Sequence, residues 1–208
     1  MSGSMLKENA PSVTLASASS ARASMLRAAG IDAAIQPADV DEGEIKASFK
    51  AAGGSPGDAA IALAELKAMR VVAMLPEDHI VLGADQILTS GQEWFDKPSD
   101  LGAARQQLER LSGDSHQLHT AVVAFRGRQR VWHHLDLTTL TMRSLSPAFL
   151  ERYLEMVGED ATTTVGGYHM ERLGAHLFSQ IKGDHFSILG MPLLPVLSFL
   201  REQGAVLD

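Results

Sequence analysis

The stretch HIVLGADQIL, residues 79–88, decides how this chain folds and draws attention to one carboxylate. Residues 80–82 are apolar, two of them β-branched, as in a buried strand, and Gly83 and Ala84 are small enough for another backbone or a ligand to approach. Asp85 follows them directly. Because an aspartate at the end of a buried strand commonly does no more than start a turn, a catalytic role for Asp85 depends on what accompanies it.

The composition indicates a folded globular protein. The chain has 208 residues, of which 45% are apolar and 21% charged, values ordinary for such a protein. Its longest apolar run, residues 188–200, is broken by Gly190, Pro192 and Pro195, so no segment reaches the roughly 20 residues needed to span a bilayer. The N-terminus lacks the pattern of a signal peptide. We expect a flexible leader over residues 1–12 and one domain over residues 13–208.

Charge and cysteine content narrow the functional classes. The formal charge of −7 argues against a sequence-independent grip on nucleic acid, which requires a basic face. The absence of cysteine excludes disulfides, thiolate zinc sites and cysteine nucleophiles, and it fits a cytoplasmic protein. A small polyanionic substrate is compatible with this charge, because a few local cations and a metal can reverse the field in one cleft.

Strand patterns and helix patterns alternate along the chain, which predicts the α/β class. One expected helix, residues 58–74, is apolar nearly all round, and this suggests burial. An acidic loop is expected at residues 39–44. The other main expectations are a strand at 13–16, a helix from about 20 to 29, a hairpin after 79–88, a helix over 101–111, paired strands at 116–125 and 129–142, and helices opening at Pro147 and Pro192.

The segment LASASSAR, residues 15–22, is a candidate phosphate cradle. A strand that runs through a serine-rich turn into a helix N-terminus offers backbone N–H groups, the hydroxyls of Ser17 and Ser19, and the positive end of the helix dipole. Arg22 falls in the first turn. The segment lacks the glycines and the terminal Lys-Ser/Thr of a P-loop, so that motif is excluded. An ordinary serine-capped helix with a surface arginine is the competing interpretation.

Carboxylates outside the expected helices could hold a hard cation. They are Asp41, Glu42, Glu44 and Asp85. Magnesium and manganese accept a few oxygen ligands together with water and substrate phosphates, so two converging carboxylates would suffice. Taken alone, an acidic loop of this kind is more often a solvated turn than a metal site.

Two lysines could serve as phosphate-binding cations. Lys67 has Leu63 one turn before it and Val71 one turn after it, so its stem lies in an apolar stripe and its ammonium must reach water or an anion. Lys97 precedes Pro98 just past the expected hairpin, where a surface lysine is also common.

Several of these fragments occur together in an order that resembles the Maf family of nucleotide pyrophosphatases, over residues 13 to 202. Each fragment is weak alone, whereas the ordered set is specific. The fragments are LASASSAR (15–22), DVDE (39–42), LAELKA (63–68), LGADQ (82–86), KP (97–98), LSGDSH (111–116) with Thr120, GGY (166–168) and GMPL (190–193).

The resemblance implies an elongated, strongly twisted mixed sheet flanked by helices, with two lobes and a central cleft like that of inosine-triphosphate pyrophosphatases. It also implies cleavage of nucleoside triphosphates to monophosphate and pyrophosphate with a divalent cation, Mg or Mn, in a cytoplasmic homodimer. Asp85 matches the position of the proton acceptor, and Glu42 with Asp85 matches the metal position. The polar and basic positions around the phosphates are matched by Ser17, Ser19, Arg22, Lys67 and Lys97.

Three positions sort the family by base, and here they hold Ala21, Gln86 and Glu171. The 7-methyl-GTP branch typically has tryptophan, glutamine and glutamate there, and the dTTP/UTP branch has arginine, threonine and glutamine. Gln86 and Glu171 therefore resemble the first branch, in which a carboxylate accepts from guanine N–H donors and suits a cationic base. Ala21 matches neither branch, so another substituted guanosine triphosphate or a broader range stays open.

Three hypotheses follow from this resemblance. The first is a metal-dependent pyrophosphatase acting on a modified nucleotide, 7-methyl-GTP. The second is a nucleotide-binding regulator without turnover, because the family is associated with inhibition of septum formation. The third is an enzyme of the dTTP/UTP branch. The carboxylates Asp85 and Glu42, together with Lys67 and Lys97, favour an enzyme, since binding alone would not need the carboxylate pair.

Overall fold

The computed structural model describes residues 4–207, which form seven strands and seven α-helices in a mixed α/β arrangement. The expected fold class is therefore confirmed. The strands are β1 Val13–Ala16, β2 Ala34–Ile35, β3 Ile80–Ser90, β4 Glu93–Phe95, β5 Ser115–Arg126, β6 Gln129–Met142 and β7 Phe178–Lys182. The helices are α1 Ser20–Ala28, α2 Glu42–Ala51, α3 Pro56–Val72, α4 Leu101–Leu111, α5 Pro147–Val157, α6 His185–Ile188 and α7 Leu193–Glu202.

The sheet has the strand order β2-β1-β3-β5-β6-β7, and β4 pairs with β3 outside this path. Strand β1 is parallel to both β2 and β3, whereas the pairs β3–β4 and β6–β7 are antiparallel. The register of β1 on β3 ends with Ala16 opposite Gly83. Because parallel strands end at the same edge, the residues after Ala16 and those after Gly83 come together there.

The chain divides into two compact units, each described by itself. Unit 1 contains the described parts of Met1–Gln86 and Gly190–Asp208 together with Thr120–Asp136, and unit 2 contains Ile87–His119 and Leu137–Leu189. Strands β3, β5 and β6 contribute residues to both units. No helix within residues 4–207 is both long enough and apolar enough to cross a membrane.

In unit 1, α3 lies directly against β3. A Cβ added at Gly83 would stand 2.0 Å from the carbonyl oxygen of Ala64 and 3.0 Å from Ala68 Cβ, so only glycine permits this close approach. The opposite face of α3 exposes Leu66 and Met69. The expectation that the helix would be buried all round is therefore wrong, because a single face packs on the sheet.

The expected acidic loop, residues 39–44, is wrong over residues 42–44, since Glu42 begins helix α2. The side chain of Asp41 caps this helix by accepting from the Glu44 N–H at 3.0 Å. An aspartate cap followed three residues later by glutamate is a helix-start signature, and acidic residues in the first turn complement the helix dipole. This signal was present in the sequence.

Unit 2 has its own apolar core, built by the strands β3 to β6 and the helices α4 and α5. His116 and Tyr168 are buried in this core, with His116 Nε2 and the Tyr168 hydroxyl 2.8 Å apart. Strand β7 was not expected from the sequence. It is an edge strand whose side chains are mostly exposed, so it carries no apolar pattern.

The N-terminal segment contacts the rest of unit 1 through its backbone. The Met5 N–H donates to the Gly30 carbonyl at 2.9 Å, and the Lys7 N–H donates to the Ala205 carbonyl at 3.1 Å. Leu6 forms an isolated antiparallel bridge with Val206.

Candidate active site

Asp85 lies inside β3, two residues beyond the point where β1 ends. The strand continues through Ser90 into the hairpin with β4, so Asp85 is not at the strand end that the sequence suggested. Asp85 is 3% exposed, and its Oδ1 accepts a hydrogen bond of 2.6 Å from Lys67 Nζ. Because Gly83 brings α3 close to β3, Lys67, one helical turn after Ala64, reaches this carboxylate.

The same ammonium binds a second carboxylate. Lys67 Nζ is 2.6 Å from Glu42 Oε1 at the start of α2. The Glu42 side chain is 41% exposed, whereas that of Asp85 is 5% exposed. Lys67 therefore joins one buried and one accessible carboxylate. Of the two expected partners for its ammonium, water or an anion, the structure has the anion, in the form of this pair.

The environment of Asp85 makes its carboxylate more basic than usual. Burial raises the pKa of Asp85, and although Lys67 acts in the opposite direction, Glu42 adds to the increase. Asp85 Oδ2 is buried and has no hydrogen-bond partner within residues 4–207. An unsatisfied buried carboxylate oxygen is costly to folding, and a carboxyl of raised pKa suits the acceptance of a proton from water.

The turn after β1 is tied together by Arg22. Its Nη1 donates to Ser17 Oγ and to the Ala84 carbonyl, both at 3.0 Å, and its Nε donates to the Gly190 carbonyl at 2.7 Å. Burial lowers the pKa of the Arg22 guanidinium, against the opposing charges of Asp85 and Glu42, yet arginine stays protonated in proteins. Arg22 thus brings a permanent positive charge beside the carboxylates.

The candidate phosphate cradle is partly confirmed as local structure. Ser19 caps α1, accepting from the Arg22 N–H at 3.4 Å, and the Ser19 N–H donates to Ser17 Oγ at 3.2 Å. Arg22 is buried rather than a surface residue. Since Ser17 and Arg22 bind each other, direct contact of either with phosphate stays a prediction, as does such contact for Ser19.

Two residues expected to choose the base lie near this cluster in unit 1. Ala21 is half-buried on α1. Gln86 neighbours Asp85 on β3, so strand alternation directs it to the opposite face, and its Nε2 donates to Thr120 Oγ1 at 2.8 Å. That bond orients the amide, an effect that the sequence did not indicate.

The other expected site residues belong to unit 2. Lys97 is exposed just after β4. Glu171 is exposed, and its Oε1 lies 3.5 Å from His169 Nδ1. Both keep their charged groups accessible, which a role in binding phosphate or base requires.

The donor set around Lys67 fits a divalent cation of the magnesium type. Asp85 Oδ2 is a buried oxygen without a hydrogen-bond partner in the described chain, and Glu42 offers an accessible carboxylate. No group of three or more His, Asp or Glu side chains within residues 4–207 is placed to hold a metal ion. A cation here would therefore rely on two carboxylates, with water and phosphates completing its shell, as magnesium commonly does.

Sequence reasoning did not find Lys46, and it did not identify the backbone that approaches Gly83. Gly83 was noted as small, but its contact with Ala64 was not foreseen. Lys46 is 5% exposed and lies near Glu42. Because it directly follows the expected acidic loop, its sequence context did not distinguish it from a surface lysine. The helix-start signature at Asp41 could have identified Lys46 through its spacing of four from Glu42.

Comparisons with known proteins identify the family of this chain. The family described as Maf-like protein matches residues 12–203. A Granulibacter bethesdensis protein named nucleoside triphosphate pyrophosphatase is 50% identical over 192 residues, covering 92% of this chain and 97% of the relative. A Mesorhizobium japonicum protein named 7-methyl-GTP pyrophosphatase is 45% identical over 194 residues, covering 93% and 97%. The chain therefore belongs to the Maf family.

Proposed function

We propose that this protein is a nucleoside-triphosphate pyrophosphatase. Water adds across the anhydride between the α and β phosphates, and the products are the nucleoside monophosphate and pyrophosphate. The observation that carries the proposal is the buried Asp85 carboxylate, which has a raised pKa and one oxygen without a hydrogen-bond partner in the described chain. The names of the two relatives support the same reaction class.

The side chains of unit 1 divide the chemistry between them. Asp85 orients the attacking water and accepts its proton as the water oxygen bonds to phosphorus. Lys67 and Arg22 supply positive charge against the phosphates, and Lys97 of unit 2 is proposed to do the same. Magnesium or manganese, held by Glu42 and Asp85, would neutralise phosphate charge when bound.

We propose 7-methyl-GTP as the preferred substrate. The relative named 7-methyl-GTP pyrophosphatase is 45% identical to this chain. The exposed Glu171 carboxylate can accept hydrogen bonds from guanine N–H donors. Ala21 removes the stacking that tryptophan gives a cationic base, an interaction worth about 0.5–2 kcal/mol. We therefore expect the preference for 7-methyl-GTP over GTP to be weaker than in an enzyme with tryptophan at this position.

A release assay tests both the reaction and the substrate. The purified protein is incubated with Mn²⁺ and, separately, with 7-methyl-GTP, GTP, dTTP, UTP or CTP, and pyrophosphate is measured. Highest kcat/KM on 7-methyl-GTP is the expected result. Highest kcat/KM on dTTP or UTP would assign the chain to that branch, and bound nucleotide without any pyrophosphate release would favour the regulator of septum formation.

Two variants test the residue roles. Asp85→Asn should nearly abolish turnover while nucleotide binding persists. The control is Asp78→Asn, which changes an exposed aspartate in the turn before β3 and should behave like wild type. Glu171→Gln should shift the ranking away from 7-methyl-GTP. Wild-type turnover in Asp85→Asn would exclude Asp85 as the catalytic base, and an unchanged ranking would exclude Glu171 as a reader of the base.

Location and assembly complete the proposal. We propose a cytoplasmic homodimer that acts on free nucleotides and does not bind nucleic acid. Sedimentation of the purified protein measures the oligomeric state, and a monomer at micromolar concentration would contradict the dimer.

A further inference from the structure

Lys46 is a buried lysine beside the candidate active site. It lies one turn after Glu42 on α2, and its side chain is 7% exposed. Lysine is almost never this buried unless its charge is paired. Its Nζ lies 3.9 Å from Glu42 Oε2, an arrangement in which glutamate precedes lysine by four residues, the favourable order on a helix.

The two oxygens of Glu42 are therefore bound by different lysines. Lys67 holds Oε1 at 2.6 Å, and Lys46 faces Oε2 at 3.9 Å. Glutamate is a long side chain, and this one is 41% exposed, so without restraint it would sample several rotamers. Contacts to both oxygens limit rotation of the carboxylate and keep it at the Lys67 ammonium, which Asp85 also contacts.

We propose that Lys46 is a positioning residue that orients Glu42 as a ligand for the divalent cation. The inference rests on the proposed function, which assigns that cation to Glu42 and Asp85. Lys67 is shared between the two carboxylates, so a cation that binds both competes with its ammonium. Lys46 faces the other oxygen of Glu42, and it keeps the carboxylate aligned while Lys67 turns to the phosphates.

Two effects of Lys46 on cation affinity oppose each other, and the experiment decides between them. Its positive charge repels a divalent ion, but Glu42 is partly exposed and solvent screens that repulsion. Orientation of a ligand by an outer partner typically changes metal affinity or activity by about 10- to 100-fold. We expect orientation to dominate, so removal of Lys46 should weaken cation binding.

The test measures Mn²⁺ binding directly, without nucleotide, from the electron paramagnetic resonance signal of unbound Mn²⁺. Lys46→Met keeps the length and burial of the side chain without its charge, and it should raise the Kd for Mn²⁺ by about 10- to 100-fold. The matched control is Lys50→Met, which changes an exposed lysine one turn later on the same helix and should leave the Kd within about twofold of wild type. If Lys46→Met does not fold by circular dichroism, Lys46→Gln replaces it.

A double-variant cycle with Glu42→Gln separates positioning from a merely structural role. If Lys46 acts through Glu42, Lys46→Met should weaken Mn²⁺ binding no further in the Glu42→Gln background, since only coupled residues are non-additive. Additive losses would overturn the proposal. So would wild-type or tighter Mn²⁺ binding by Lys46→Met, or no Mn²⁺ binding by the wild-type protein.

Pyrophosphate release by the wild-type protein is measured in parallel. If the wild type releases pyrophosphate while Lys46→Met binds Mn²⁺ normally, the role of Lys46 fails and the proposed function stands. If the wild type releases none from any nucleotide, the proposed function fails first.

Discussion

Replacing Gly83 by alanine should lower turnover by about 100-fold, because the added methyl group would push α3 away from β3. The new Cβ would stand 2.0 Å from the Ala64 carbonyl oxygen and 3.0 Å from Ala68 Cβ. Ordinary contact begins at 3.4 Å, so relief requires a movement of about 1.4 Å between helix and strand. The obstacle is backbone, which no side-chain rotation can remove.

That movement acts on the contact between Lys67 and Asp85. Lys67 lies three residues after Ala64 on α3, and Asp85 lies two residues after Gly83 on β3. Their 2.6 Å hydrogen bond would open to about 4 Å, beyond hydrogen-bonding range. Misplacement of a catalytic group by about 1 Å can cost about 100-fold in rate, or roughly 2.7 kcal/mol, and overpacking costs a further 1–3 kcal/mol or so of folding stability.

The assay measures kcat and KM by pyrophosphate release, and thermal unfolding is recorded for each variant. Gly183→Ala is the matched control, because its Cβ would meet Thr138 Cα at 3.0 Å with a φ of 134°. This control should lose stability in unit 2 while keeping kcat. The pair Gly83→Ala with Ala68→Gly should not recover activity, because the Ala64 carbonyl remains in the way.

Two results would refute this reasoning. Wild-type kcat and wild-type thermal stability in Gly83→Ala would mean that the close approach of α3 does not position the site. An equal loss of kcat in Gly183→Ala would mean that activity follows overall stability rather than the separation of α3 and β3.

Two further predictions concern pH. Because burial raises the pKa of Asp85, the Asp85 carboxyl of the metal-free protein should titrate above the ordinary aspartate range when its carboxyl resonance is followed by NMR, and that titration should be absent from Asp85→Asn. A titration at or below the ordinary range would contradict the effect of burial. Burial lowers the pKa of His116 from 6.5 to about 4. Between these two pH values the unfolded chain therefore binds the proton more tightly than the folded chain does. Stability should therefore drop by about 3 kcal/mol from pH 6.5 to pH 4, and in urea unfolding His116→Asn should show a smaller drop, whereas an identical drop would exclude His116 as the cause.

Elements with strong local signals could be predicted from the sequence. Strand β1 occupies the expected residues 13–16, and α4 occupies the expected residues 101–111. Strand β7 and the full length of β3 were not predicted. Edge strands with exposed side chains lack an apolar pattern, and the extension of β3 to Ser90 depends on its pairing with β4.

The candidate site was predictable in its residues but not in its contacts. Asp85 and Glu42 were identified as candidate metal ligands, and Lys67 as a lysine whose ammonium must reach water or an anion. The Lys67 ammonium contacts both carboxylates at once, and this contact depends on the close packing of α3 against Gly83. The burial of Arg22 was likewise unforeseen, because its partners, the carbonyls of Ala84 and Gly190, carry no side-chain signal.

The sequence by itself determined the α/β class, the ordered motifs of the Maf family and a buried strand that leads to Asp85. These follow from residues adjacent in the chain, whose spacing is readable without coordinates. Only the tertiary structure decided that Lys67 joins Asp85 to Glu42 and that Lys46 is buried beside that pair. Such contacts depend on how closely a helix packs on a strand, a distance that one glycine controls and no local pattern records.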